Sequence, residues 1–374
     1  MVLMKRCARK TILNRLFYLN HTPINAHFSK NSKDFVVSEN PLYEWSGEGE
    51  HLILQIRKKD MTTWQMLKYL SGVTGVKERD FGYAGLKDKD GMTVQFISMP
   101  KLKEHTLENF HHDKISIIDR AYHKNKLKIG HLKGNHFFIR LKKVNPTDAK
   151  KLKEAVKMIK KMGFPNYFGF QRFGKDGDNF EHAQKVLSGE VKERNKKVKK
   201  FLISAYQSHL FNLWLSKRVE ISKLFNSFNE EELDKLFNFP KETIKQIKAQ
   251  PQFFKMLPGE LMHHYPHGRI FICEDLDAES QRFFEKDITV TGLLAGKKAA
   301  LSTGIAANFE KDFSKEAEPY ESQMNGTRRF AWIWAEDLEM KYKEDEWQVE
   351  LNFSLPKGSY ATVLLEELIH QIYK

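Results

Sequence analysis

The sequence predicts an α+β protein of two domains. Alternating strand patterns and amphipathic helices occupy both ends of the chain, while a mostly helical pattern fills residues 163 to 322. The length of 374 residues exceeds what one hydrophobic core usually serves. The predicted division is therefore 1–162 and 323–374 for one domain and 163–322 for the other.

Each element follows from its pattern. "HLILQIR" puts Leu52, Leu54 and Ile56 on one face of a strand. "TTWQMLKYLSGV" then spaces Thr62 and Gln65 as a capping box before Trp64, Leu67 and Leu70, which predicts a helix. "TVQFISM" alternates, with Val94 and Phe96 opposed to Thr93 and Gln95, and "HFFIRLK" alternates through Phe137, Ile139 and Leu141. Near the end, "VELNFSL" aligns Val349, Leu351, Phe353 and Leu355 on one face. "YATVLLEELIHQI" follows with a helical stripe of Ala361, Leu364, Leu365, Leu368 and Ile372.

Composition narrows the partner. Lys and Arg number 62 against 48 Asp and Glu, a formal charge of +14 that points to a polyanion, nucleic acid first. The two cysteines, Cys7 and Cys273, form no CxxC pair or disulfide framework, which suits a reducing compartment. The basic opening "MVLMKRCARKTILNRLFYLN" is interrupted by Asn14, Arg15 and Asn20 and lacks the apolar core of an export signal. No window reaches the ~18 consecutive apolar residues of a membrane span, so a cytoplasmic protein is expected.

Three stretches can carry chemistry. In "GLKDKDG", residues 85 to 91, a turn holds four charges where small polar residues would close it equally well. Asp88, between Lys87 and Lys89, is expected to stay ionised because neighbouring cations favour the charged form. It suits a nucleophile or base, or, paired with Asp90, a magnesium site. "FPNYFGFQRFG", residues 164 to 174, sets five aromatics beside Gln171 and Arg172, a composition that can stack and hydrogen-bond an unpaired base. Phe164, Phe168 and Phe170 also read as core. "HHYPHG" offers His263, His264 and His267 but no Cys or carboxylate at supporting spacing for a metal. Lys192 to Lys200 holds six Lys or Arg and one Glu, which suits either a phosphate-facing surface or a solvated helix start.

These motifs, taken together, resemble the TruD family of tRNA pseudouridine synthases. "KDFVVSE", "GEGEHLILQIRK", "YAGLKDKDGMTVQF", "LKGNHFFIRL", "FPNYFGFQRFG", "ISAYQSHLFNLWLSKR", "HYPHGRIF", "GTRRF" and "LPKGSYATVLLEEL" follow in the family's order over nearly the whole chain.

The resemblance implies a V-shaped protein: a pseudouridine-synthase catalytic domain with a mixed, mainly antiparallel sheet, and an inserted α/β TRUD domain. It implies isomerisation of uridine at position 13 of the tRNA D arm, with no metal and no cofactor; a monomer with no obligate protein partner is expected. Asp88 then matches the catalytic carboxylate, and Asp90 falls where the family demands none. Lys30 matches the lysine that pairs with it, one residue closer to Asp34 than the family pattern. Asn135 matches the asparagine near the catalytic Asp, and Phe137 the ring that stacks on the uracil, although its register with Ile139 and Leu141 equally reads as core. Tyr360 falls at a pocket position that is commonly Phe. It also reads as a plain aromatic at a helix start with Ser359 as N-cap. Arg172 is assigned to substrate binding. Two other functions remain compatible with the residues: RNA binding without chemistry, and a metal-dependent nuclease using Asp88 and Asp90.

Overall fold

The computed structural model describes residues 15–87 and 89–373. They divide into two compact units. One comprises Ile24–Val156 and Ala335–Gly358; the other comprises the N-terminal segment to Pro23, Lys157–Trp334 and the segment from Ser359 onward. The change of sequence pattern places the divisions at 162/163 and 322/323 and groups the last helix with the first domain.

The first unit is built on an eight-stranded sheet. Its strands are β1 (Phe35–Pro41), β2 (His51–Lys59), β3 (Gly82–Tyr83), β4 (Met92–Pro100), β5 (Ile115–His123), β6 (Leu132–Leu141), β7 (Glu336–Lys343) and β8 (Gln348–Pro356). They run in the order β7-β8-β6-β1-β4-β2-β5, with β3 paired to β4. Only β1 and β4 run parallel; the other named pairs are antiparallel, so the sheet is mixed and mainly antiparallel as expected. Gly134 lets β6 approach β8, because a Cβ there would sit 2.1 Å from the Leu355 carbonyl oxygen.

Helix α1 (Thr63–Thr74) begins with the predicted capping box of Thr62 and Gln65. Its Met66, Leu67 and Leu70 pack on Leu52, Leu54, Ile56, Ile97 and Met99 in one apolar cluster. Trp64, expected on that stripe, is half exposed instead, because Met66 occupies the sheet-facing position. The strand patterns of β2, β6 and β8 hold: Leu52, Leu54, Ile56, Phe137, Ile139, Leu141, Val349, Leu351, Phe353 and Leu355 are all buried.

On β4 the period holds but the faces are reversed. Thr93 and Gln95 are 3% and 0% exposed, whereas Val94 and Phe96 lie half-buried on the other side. There Phe96 packs against Trp45 at 5.1 Å between ring centroids. An aromatic cover thus supplies the outer face with the burial that hydropathy assigned to the inner one.

The second unit holds a four-stranded antiparallel sheet in the order Thr327–Phe330, Ile288–Leu294, Leu261–His264, Ile270–Ile272. Beside it runs α2 (Lys196–Ser227), capped by Asn195, whose side chain accepts from the amides of Lys197 and Val198. A buried pair ties α2 inward: Arg218 Nη2 lies 2.6 Å from Glu260 Oε1, both side chains nearly inaccessible. The last helix, α3 (Ala361–Ile369), is buried along its whole length rather than along one stripe, and Ile372 lies beyond its end. Its two acids are satisfied internally: Glu366 pairs with Arg15 at 2.8 Å, and Glu367 accepts from the Leu19 amide at 2.8 Å. Burial pushes the Glu367 carboxyl up to about 8. No helix among the described residues is long and apolar enough to cross a membrane.

Candidate active site

Strand register builds the site. Residues directly opposite across paired strands share a face. Glu39 of β1 lies opposite Asn135 of β6, and Asn135 opposite Leu355 of β8. Val37 lies opposite both Phe137 and Thr93, and Gln95 opposite Ile56 of β2. Glu39, Thr93, Gln95, Asn135 and Phe137 therefore share one face with the apolar cluster beneath α1. Lys58, opposite Thr93, joins them and donates from its buried ammonium to the Met61 carbonyl. The result is a polar band crossing an otherwise apolar sheet face.

Part of this band is unspent. Asn135 Oδ1, Gln95 Nε2 and Thr93 Oγ1 are buried with no hydrogen-bond partner among the described residues. Buried polar atoms are normally satisfied, so three on one face point to a polar partner that binds there. Phe137 is 6% exposed and stacks on Phe353 at 5.4 Å and on Phe35 at 6.4 Å.

Asp88 lies outside the described residues, but Lys87 before it is held in this band. Its ammonium lies 2.5 Å from Glu39 Oε1, with the glutamate side chain buried and the lysine side chain 10% exposed. Lys87, expected to lend its charge to the aspartate, is thus engaged by Glu39. Downstream, Gly91 closes the turn onto β4 at φ +92°, where a Cβ would meet the Phe35 carbonyl oxygen at 2.8 Å. Asp90 is exposed.

Lys30 is half-buried on the loop leading into β1. That loop is fixed at Asp34, which is 1% exposed and accepts from Asn31 Nδ2 at 2.7 Å and from Lys142 Nζ at 2.5 Å. Burial acts to raise the Asp34 carboxyl. The hydrogen bonds from Lys142 and Asn31, with the charge of Lys142 and Arg140, outweigh it and hold the group below its ordinary value.

Tyr360 and Arg172 belong to the other unit, where they share a cluster around Phe168. Arg172 donates from Nη2 to Ser204 Oγ at 2.6 Å and from Nε to Ser208 Oγ at 3.3 Å. Its guanidinium lies 5.6 Å from the ring of Phe201, which is 43% exposed. Arg329 sits over Phe168 at 3.9 Å and donates to Asn166 Oδ1 at 2.9 Å. Burial pushes its guanidinium down to about 10. Tyr360 packs on Phe168 at 6.2 Å between centroids and is itself the N-cap of α3; Ser359, expected in that place, is not. Phe164 and Phe168 are core, as their pattern allowed, whereas Phe170 is only half-buried. His263, His264 and His267 belong to no metal-like cluster, since no group of three or more His, Cys, Asp or Glu that could hold a metal occurs among the described residues.

The sequence reading missed Glu39, Thr93, Gln95 and Arg329. A signal existed for the first three: Glu39 closes the apolar run "FVVSE", and Thr93 and Gln95 alternate in phase with Ile97 and Met99.

The family model for tRNA pseudouridine synthase D (TruD) matches residues 12–194 and 184–368. The chain belongs to the tRNA pseudouridine synthase D family. Among its relatives, tRNA pseudouridine synthase D of a Nitratiruptor species is 53% identical over 97% of this chain and 99% of that one. The enzyme of the same name from Campylobacter jejuni (strain 81116) is 55% identical over 96% and 97%. A solved structure named for the TruD of Methanosarcina mazei covers 97% of this chain and 98% of its own with a TM-score of 0.69 at 19% identity, which shows a shared fold.

Proposed function

We propose that this member of the tRNA pseudouridine synthase D family isomerises uridine 13 in the D arm of tRNA, with Asp88 as the catalytic carboxylate and without metal or cofactor. The observation that carries the reading is the sheet face on which Asn135, whose side-chain oxygen has no partner among the described residues, lies two residues from Phe137 and opposite Glu39, which holds the residue that precedes Asp88. The unit containing this sheet is assigned as the catalytic domain. The unit containing Arg172 is assigned as the family's inserted domain. The protein works as a monomer in the cytoplasm.

The reaction breaks the C1′–N1 bond, turns the freed uracil and rejoins it through C5, with loss of the C5 proton and gain of a proton at N1. An ionised carboxylate either attacks the sugar or assists departure of the base, and then helps move protons. In this reading Lys30 keeps Asp88 charged, Asn135 orients it or the base, and the Phe137 ring holds the uracil while it turns. The base must first leave its stack at a cost of a few kcal/mol, offset by aromatic stacking and phosphate contacts. Arg172 and Tyr360 contribute such contacts, and the net charge of +14 favours them.

The test is tritium release from tRNA transcripts carrying 5-³H-uridine, in EDTA, for the wild type and Asp88→Asn. Release by the wild type alone is expected. Tight tRNA binding with no release by the wild type would overturn the reading in favour of a binding protein.

A further inference from the structure

We propose that Glu39 and Thr63 are positioning residues for the reaction, which act by fixing Lys87, the residue before Asp88. The inference rests on the reading of Asp88 as the catalyst and goes beyond it.

The turn after β3 has little regular structure of its own. Its catalytic function requires a fixed geometry, since a displacement of about 1 Å can cost about 100-fold in rate. Lys87 is held at all three of its hydrogen-bonding groups. Its amide donates to Thr63 Oγ1 at 2.9 Å, and its carbonyl accepts from the Thr63 amide at 3.4 Å. Its ammonium pairs with Glu39 Oε1.

Each anchor is anchored in turn. Glu39 uses its second oxygen to accept from the Phe96 amide at 2.9 Å, so β4 fixes the carboxylate that fixes the lysine. The Thr63 hydroxyl, while accepting from Lys87, donates to Gln95 Oε1 at 3.0 Å. Thr63 is the first residue of α1, where backbone amides lack partners within the helix. Its amide spends that freedom on the Lys87 carbonyl. One side chain from β1 and one residue from α1 thus converge on the residue before the catalyst.

Stability alone accounts poorly for the arrangement. A buried ion pair gains little over well-packed apolar residues of similar volume, because desolvation of both charges offsets their attraction. Its specific return is a single geometry for Lys87.

The experiment measures kcat and KM for tRNA pseudouridylation in Glu39→Gln, Thr63→Val and Thr63→Ser, alongside Asp88→Asn. Glu39→Gln keeps the shape and the acceptor for Phe96 but loses the charge that holds Lys87. Thr63→Val removes only the hydroxyl, and Thr63→Ser restores it. Expected are falls in kcat of about 10- to 100-fold for Glu39→Gln and Thr63→Val, with KM changed less than about threefold and Thr63→Ser close to wild type. Should Glu39→Gln fail to fold, the threonine pair decides alone. If Asp88→Asn is inactive while Thr63→Val, folded to the wild-type thermal midpoint, keeps its kcat, the positioning role is overturned and the catalytic reading stands. If Asp88→Asn is fully active, the catalytic reading itself falls.

Discussion

Phe137 separates two roles that the sequence could not, and Phe137→Leu measures both. The ring is 6% exposed and stacks on Phe353 and on Phe35. As a core residue it contributes two ring pairs, each worth ~0.5–1.5 kcal/mol beyond its buried area. Leucine keeps most of the apolar volume but neither pair, so the unit should lose about 1–3 kcal/mol. At about 2–4 °C per kcal/mol for a domain of this size, the thermal midpoint falls by several degrees. As the ring that holds the uracil it contributes something further, since stacking of a base on an aromatic side chain is worth ~1–3 kcal/mol. That loss enters transition-state binding, and each 1.4 kcal/mol is tenfold, so kcat/KM should fall about 5- to 150-fold well below the midpoint. The assay pairs a thermal melt with steady-state tritium release at 25 °C. A lowered midpoint with kcat/KM within about twofold of wild type would refute the stacking role and leave Phe137 as core.

Two further predictions concern the other unit. Arg218→Leu leaves Glu260 as a buried carboxylate without its guanidinium, which should cost about 3–5 kcal/mol in a denaturation experiment; a loss under about 1 kcal/mol would mean that the pair is dispensable. His209 stacks on Phe180 at 3.8 Å, and burial pushes its imidazole down to about 4. With an unfolded value near ~6.5, its contribution is complete above that pH and lost as pH falls toward about 4, reaching about 2 kcal/mol at about pH 5. The urea midpoint of the wild type should therefore drop more between pH 7 and 5 than that of His209→Gln; equal pH dependence would show that the imidazole protonates freely in the folded chain.

The fold was legible where one physical rule decided each residue. The capping box of Thr62 and Gln65 and the apolar faces of β2, β6 and β8 are local patterns, and the structure keeps them. Pairing order was not legible, because no local feature states that β1 lies between β6 and β4. The reach of α3 was misjudged for a related reason: a helix buried on every side has no polar face to define a stripe, and Glu366 and Glu367 look like solvent residues until Arg15 and the Leu19 amide are seen beside them. In the site, Asn135 and Phe137 share a face by simple alternation. The engagement of Lys87 by Glu39 joins residues 48 positions apart and has no sequence signature beyond a carboxylate in an apolar run.

The reversed faces of β4 bear on how one sheet serves both stability and chemistry. Hydropathy would turn Val94 and Phe96 inward, yet Thr93 and Gln95 take that side, and two of their polar atoms have no partner among the described residues. A buried unsatisfied polar group costs ~1–3 kcal/mol, so this choice weakens the fold by several kcal/mol unless neighbours compensate. They do so on the same strand: Ile97 and Met99, two and four residues beyond Gln95, lie in the apolar cluster beneath α1. One end of β4 supplies burial and the other supplies polar groups at fixed positions. The same division runs through β6, where Ile139 and Leu141 are fully buried and Asn135 holds an acceptor that no described residue meets. Local rules broken at aligned positions on neighbouring strands mark a site better than any single residue does, because packing faults would not fall in register.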